Sequence, residues 1–285
     1  MENVENLFID VAGHRHGAIA AGPVDGPLVL LLHGWPEFAD SWTHVLVGLG
    51  AAGYRAVAAD QRGYAPGARP AKVADYAINH LVDDALAFAD SQGGGRFHLV
   101  AHDWGGMVAW VLASAHPDRL RTLSVLATPH PAALKQAAAA DENQYHRLDY
   151  VRLFRQDGHQ AEAALLADGA ARLRAAYAGR IPDELVERNI ARLSEPGALT
   201  GTLNWYRGAT DDQFDFPAGT ITVPTLYVWG DQDGALGREA ALATGDFVTA
   251  DYRFELLEGV SHWIPEEVPD RVTPMIIEHL KTERP

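Results

Sequence analysis

Asp103 lies at the centre of Ala101-His102-Asp103-Trp104-Gly105, with a small residue two places away on each side and the apolar run Phe97-His98-Leu99-Val100 leading in. That spacing marks a nucleophile elbow, a sharp strand-to-helix turn that holds one side chain up in a strained conformation. Bulk at either flanking position would clash across the turn. A serine in this place attacks acyl carbons. A carboxylate suits displacement at a saturated carbon, and it leaves an ester on the protein that water must then cleave. An aspartate just before a helix is otherwise most often an N-cap, so reading Asp103 as a nucleophile requires partners elsewhere in the chain.

Three segments supply them. His33-Gly34-Trp35-Pro36 follows the apolar run Leu28 to Leu32, and its Gly and Pro predict a rigid turn compatible with a cis bond before Pro36. Such a turn aims the Trp35 N–H at a developing oxyanion, and the Trp104 N–H, opening the next helix, is the second donor. Val228-Trp229-Gly230-Asp231-Gln232-Asp233 reads as a strand ending in a loop with two carboxylates, and Gly259-Val260-Ser261-His262-Trp263 as another loop after a strand. Nucleophile, acid, histidine is the chain order of the α/β-hydrolase triad. The residues alone leave Asp231 and Asp233 both open as the acid. His33 reads as a hydrogen-bonder of its own turn. His14 and His16 lack the carboxylate support a metal site needs and are expected in a solvated N-terminal hairpin.

These loops need a frame that brings them to one edge. Leu28 to Leu32, Arg55 to Ala59, Phe97 to Val100 and Leu123 to Leu126 read as buried strands of a parallel sheet, continued by Thr225 to Trp229 and Arg253 to Leu257. Ile78 to Ser91 and Trp104 to His116 carry helical spacing between them, which predicts βαβ units in an α/β fold. The alternation breaks from about Pro131 to Phe216, a stretch rich in Ala, Leu, Arg and Glu that includes the Ala137 to Ala140 tract. It reads as helices inserted between two strands and covering the C-terminal edge of the sheet, where such folds bind ligands. Prolines 129, 131, 217 and 224 mark its ends.

Composition narrows the class. At 285 residues and 47% hydrophobic, the chain can bury one large core. A formal charge of −15, without a basic cluster, argues against nucleic-acid binding. Cysteine is absent, which excludes thiol catalysis and Cys-ligated metals. Met1 to Asp10 shows no basic-then-apolar signal pattern, and Leu28 to Leu32 is far too short to span a bilayer. A cytoplasmic protein with no membrane partner is expected.

Taken together, His33-Gly34-Trp35-Pro36-Glu37, Asp60-Gln61-Arg62-Gly63-Tyr64 and His102-Asp103-Trp104-Gly105-Gly106 resemble successive core motifs of the soluble epoxide hydrolases of the α/β-hydrolase superfamily, and the likeness covers nearly the whole chain. The resemblance implies an α/β-hydrolase core over residues 1–130 and 217–285, with a helical cap over 131–216. It implies Asp103 as nucleophile, His262 as base, Asp233 rather than Asp231 as its acid, and Trp35 and Trp104 as oxyanion donors. Asn204-Trp205-Tyr206-Arg207 and, less specifically, Asp149-Tyr150-Val151-Arg152-Leu153-Phe154 resemble the cap segments whose two tyrosines hold the epoxide oxygen. Trp35, Trp104, Pro36 and Trp263 are then expected against the substrate, a small hydrophobic epoxide. No cofactor or metal is implied, and the chain is expected as a monomer or homodimer. Gly63-Tyr64-Ala65-Pro66-Gly67 and Gly234 depart from the family pattern, which bears on substrate preference. The alternative is a haloalkane or haloacid dehalogenase using the same Asp-His-Asp triad. A non-catalytic binding protein would have no reason to keep a strained elbow beside a base.

Overall fold

The computed structural model of the protein describes residues 4–156, 159–209 and 215–282. Eight strands form one sheet: β1 (Glu5–Val11), β2 (His14–Ala21), β3 (Leu28–Leu32), β4 (Arg55–Ala59), β5 (Phe97–His102), β6 (Leu120–Leu126), β7 (Thr225–Gly230) and β8 (Tyr252–Leu257). Their order is β1-β2-β4-β3-β5-β6-β7-β8, antiparallel at the β1–β2 and β2–β4 pairings and parallel from β4 onward.

The apolar runs become strands because both faces of the sheet are covered. Along β3 the side chains alternate: Leu28, Leu30 and Leu32 join one buried cluster, Val29 and Leu31 the other. The first cluster packs against α2 (Ile78–Ser91) and α3 (Trp104–Ala115) through Leu81, Phe88, Val108 and Leu112. The second packs against α1 (Thr43–Ala51) and the C-terminal helix Pro269–Leu280 through Val45, Leu49, Val272 and Ile276. A strand buried on both sides loses the apolar–polar alternation and reads as a continuous run.

Between β6 and β7 come α4 (Pro131–Ala140), α5 (Glu142–Arg147), α6 (Asp149–Phe154), α7 (Gln160–Ala176), α8 (Asp183–Leu193) and α9 (Ala198–Gly208). Then α10 (Arg238–Ala243) separates β7 from β8, and α11 (Ile264–Glu267) and α12 (Pro269–Leu280) close the chain. The inserted helices are tied to the sheet loops by polar contacts. Arg188 pairs with Asp40 at 2.8 Å, Arg192 reaches Asp60, the Tyr177 hydroxyl donates to the Pro36 carbonyl at 3.1 Å, and the Trp205 indole donates to the Arg62 carbonyl at 2.7 Å. Among the described residues no helix is long and apolar enough to cross a membrane.

The N-terminal hairpin differs from expectation. It exists, but it is not solvated throughout. β2 pairs with β4, so His16, Ala18 and Ala20 turn toward α2. His16 is 1% exposed, its Nδ1 meets the Asp60 carbonyl at 2.9 Å, and its ring stacks edge-on against Phe88. Burial, ahead of that hydrogen bond, holds its pKa below the ordinary imidazole value.

Candidate active site

The elbow forms at the end of β5. Asp103 has φ 48° and ψ −121°, a backbone conformation that L residues avoid and that must be held by its surroundings. Two glycines make the holding possible. A Cβ on Gly105 would lie 2.3 Å from the Leu32 carbonyl oxygen, and one on Gly34 would lie 2.2 Å from the Asp103 Cβ. The Thr128 hydroxyl donates to the Asp103 carbonyl at 2.9 Å and fixes the turn from the β6 side.

Asp103 Oδ1 accepts the Trp35 N–H at 2.7 Å, across a peptide bond to Pro36 that is cis. The Trp104 amide is the first of α3, where the helix's own ladder gives it no acceptor. Asp103 Oδ2 lies 3.4 Å from His262 Nε2, and His262 Nδ1 lies 2.8 Å from Asp233 Oδ2. Asp233 is itself fixed, because its Oδ1 accepts the Ala235 and Leu236 N–H groups at 2.8 and 2.9 Å. Asp231 does something else: its Oδ1 accepts the Gly259 N–H at 2.8 Å and ties the two loops together. The imidazole therefore meets Asp233 and not Asp231. His33 turns inward, with Nδ1 to the Gly34 carbonyl at 3.0 Å and Nε2 accepting the Gln61 N–H at 3.2 Å.

Burial and charge act against each other here. Burial disfavours charge on His262, but the Asp233 and Asp103 carboxylates outweigh it, and its pKa stands well above the ordinary value. Burial likewise opposes ionisation of Asp103, yet His262, His102 and the Trp35 N–H hold its pKa below the ordinary carboxyl value. Both shifts favour the same charge state, a carboxylate beside an imidazolium.

A cavity of about 500 Å³ opens beside this group, walled by Trp35, Trp263, His262 and Phe154 among others, and a recess of about 60 Å³ adjoins it. Asp103, Tyr150 and Tyr206 belong to the walls of both, and Trp104 lines the recess. Tyr206 is 5% exposed, its ring 4.9 Å from that of Trp104 and 5.9 Å from that of Trp35. Tyr150 is 36% exposed, with its ring 6.2 Å from that of Tyr206. Burial of the hydroxyls first, then Asp103 and Asp233 for Tyr150 and the neighbouring Tyr150 and Asp103 for Tyr206, pushes both phenols above their ordinary pKa, so both keep their protons at neutral pH. Pro36 is not among the residues lining either space; its carbonyl takes the Tyr177 hydroxyl.

Two residues without a role in the sequence reading brace the site. His102 lies behind His262, with Nε2 donating to the His262 carbonyl at 2.8 Å and Nδ1 against Glu37 Oε2 at 2.9 Å. Burial opposes ionisation of Glu37, but the His102 imidazole and the Glu266 carboxyl bring its pKa down to about 2. The signal was present in the sequence: Glu37 ends one core motif and His102 begins another. Among the described residues no group of three or more His, Asp or Glu is placed to hold a metal ion.

A parallel sheet with a strained elbow after a central strand is the framework of the α/β-hydrolases. The model of that fold family matches residues 27–269. The chain is 34% identical to the AB hydrolase superfamily protein YfhM of Bacillus subtilis, over 99% of its own length and 100% of that protein's. It is 31% identical to Epoxide hydrolase A of Mycobacterium tuberculosis, covering 96% of each. The crystal structure of Epoxide Hydrolase A from Mycobacterium thermoresistibile superposes with a TM-score of 0.86, at 28% identity and over 99% of both chains. The chain belongs to the α/β-hydrolase family, as an epoxide-hydrolase-like member of it.

Proposed function

We propose that the protein hydrolyses a small hydrophobic epoxide to a vicinal diol through an ester on Asp103. The observation that carries this reading is the pairing of an elbow carboxylate with phenols rather than with further amide donors. Asp103 and the Tyr206 and Tyr150 side chains share the walls of one cavity. A phenol that keeps its proton at neutral pH is suited to donate it as an alkoxide develops.

In the first step an Asp103 carboxylate oxygen bonds to a ring carbon and the carbon–oxygen bond of the ring breaks. The freed oxygen takes a proton from a phenol. Esterification removes the negative charge beside His262, so its imidazolium loses a stabilising partner and returns the proton to the phenolate. Neutral His262, held by Asp233, then takes a proton from water as the water oxygen adds to the ester carbonyl carbon. The Trp35 and Trp104 N–H groups receive the oxyanion; one such donor contributes about 2.7–4 kcal/mol in a comparable site. Collapse releases the diol and restores the carboxylate–imidazolium pair, with one water consumed per epoxide.

The test is covalent trapping. With an aromatic oxirane, His262→Gln should accumulate an adduct on the Asp103 peptide, and the unaltered enzyme in heavy-oxygen water should build label into that carboxylate. Diol formation without either signal would remove the ester from the mechanism.

A further inference from the structure

Resting on that reading of the site, we propose that the cavity selects epoxides whose carbon frame carries an anionic group, a carboxylate, and that Arg147, Arg172 and Arg180 in its wall receive it. The chain as a whole is strongly acidic, at a formal charge of −15, yet the wall of the larger space inverts that balance. It contains Arg147, Arg172 and Arg180, and among the described residues Asp103 is its one carboxylate.

These arginines differ from their neighbours in the inserted helices. Arg174, Arg188 and Arg207 each hold a carboxylate, at 2.5, 2.8 and 2.9 Å. Among the described residues neither Arg147 nor Arg172 pairs with one. Arg147 donates from Nη1 to the Asp233 carbonyl at 2.5 Å, which leaves its charge uncompensated, and its buried Nε has no partner. Arg180 holds Glu267 at a long 3.4 Å and the Gly259 carbonyl at 3.3 Å. A guanidinium on open surface needs no partner, because water solvates it. Three along one cavity wall produce a concentrated positive field, and their planar forks suit a carboxylate.

The same stretch of wall has been kept small. Ala176, Ala178 and Gly234 line it, and a Cβ on Gly234 would meet nothing within 4 Å. Gly234, one of the departures from the family pattern, thus leaves open space beside Asp233, whose carbonyl holds Arg147. The apolar side, with Leu153, Phe154 and Leu165, accommodates the hydrocarbon body. The three guanidinium groups offset the repulsion that Asp103 and the acidic surface would otherwise impose on an anionic substrate.

A matched pair of substrates tests this: the glycidyl ether of para-hydroxybenzoate and that of para-hydroxybenzamide, assayed for diol with the full-length enzyme. The carboxylate should be favoured about tenfold in kcat/KM, chiefly through KM, and the preference should shrink as salt is added. In Arg172→Gln/Arg180→Gln the ratio should fall to within about twofold, and Arg172→Glu should lower it further. A loss of packing would slow both substrates alike and leave their ratio unmoved. The inference is overturned by a ratio near one in the unaltered enzyme, or by one that survives the double substitution. If the amide is opened without preference for the acid, only this inference fails. If neither ether yields a diol, the epoxide reading fails with it.

Discussion

The loops at the sheet edge and the helices above them hold their chemical groups by different means. At the edge, backbone geometry decides. Asp103 is lifted by a positive φ, floored by Gly34 and tied by Thr128, while Asp233 accepts two amides of its own loop. In the inserted helices, ring packing decides. Tyr206 is wedged among Trp35, Trp104 and Phe154, whereas among the described residues Tyr150 meets only the rings of Phe154 and Tyr206 and stays about a third exposed. Sites built on hydrogen-bonded backbone tolerate little displacement, and sites built on apolar contact can shift with the rings that carry them.

Substitutions rank the two modes. Asp103→Asn should cost the most, about 10⁴-fold or more in diol formation, with no ester detectable by mass. Tyr206→Phe should slow ester formation about 10²–10³-fold in single-turnover kinetics and leave ester cleavage near its normal rate. A haloalkane substrate then separates the alternative chemistry, since halide release in either enzyme would favour a dehalogenase. Gly34→Ala keeps every reacting group but pushes a methyl against Asp103, and a misplacement of that order costs about 10²-fold; both ester formation and cleavage should fall. Tyr150→Phe should cost about tenfold, the smaller loss matching its exposed position. If Tyr150 and Tyr206 prove equal, the difference drawn from their burial is wrong.

The mildest effect is one of pH. Glu162 on α7 grips Arg207 on α9 through two contacts of 2.9 and 3.0 Å. Burial opposes its ionisation, but Arg207 brings its pKa down to about 2 from an ordinary value near 4.5. A depressed carboxyl pKa stabilises the fold above the unfolded value and loses that contribution as pH falls toward the folded one. Between about 4.5 and 2 the α7–α9 contact should therefore weaken, and Glu162→Gln should flatten acid sensitivity in that window when urea unfolding is followed by tryptophan fluorescence.

The same contrast explains what could be read without coordinates. β3 to β7 were legible because a strand buried on both faces is a continuous apolar run, and the elbow because its turn demands small residues at fixed spacing. The observed strands run a little further than the apolar runs: β5 continues to His102 and β6 starts at Leu120. The seating of β2 was not legible, since His16 looks polar until its contacts with the Asp60 carbonyl and Phe88 are known. The His102–Glu37 brace joins residues 65 apart, and local spacing carries no record of such a contact. Asp233 could be separated from Asp231 only by resemblance, because both lie in the same loop and only the fold shows which one faces His262. Pro36 was expected against substrate, but its residue is spent on the turn.

Both phenols ride on α6 and α9 while His262 and Asp233 ride on the β7 and β8 loops, so in the proposed mechanism ring opening and ester cleavage draw on different parts of the chain, joined by the proton that His262 returns to the phenolate. An outward excursion of the helices would deprive ring opening of its proton source yet leave ester cleavage intact. If the proposed ester on Asp103 forms, the tethered fragment cannot diffuse away, so the pocket can breathe between the steps. Solvent gains entry at the moment it becomes a reactant, with no intermediate lost.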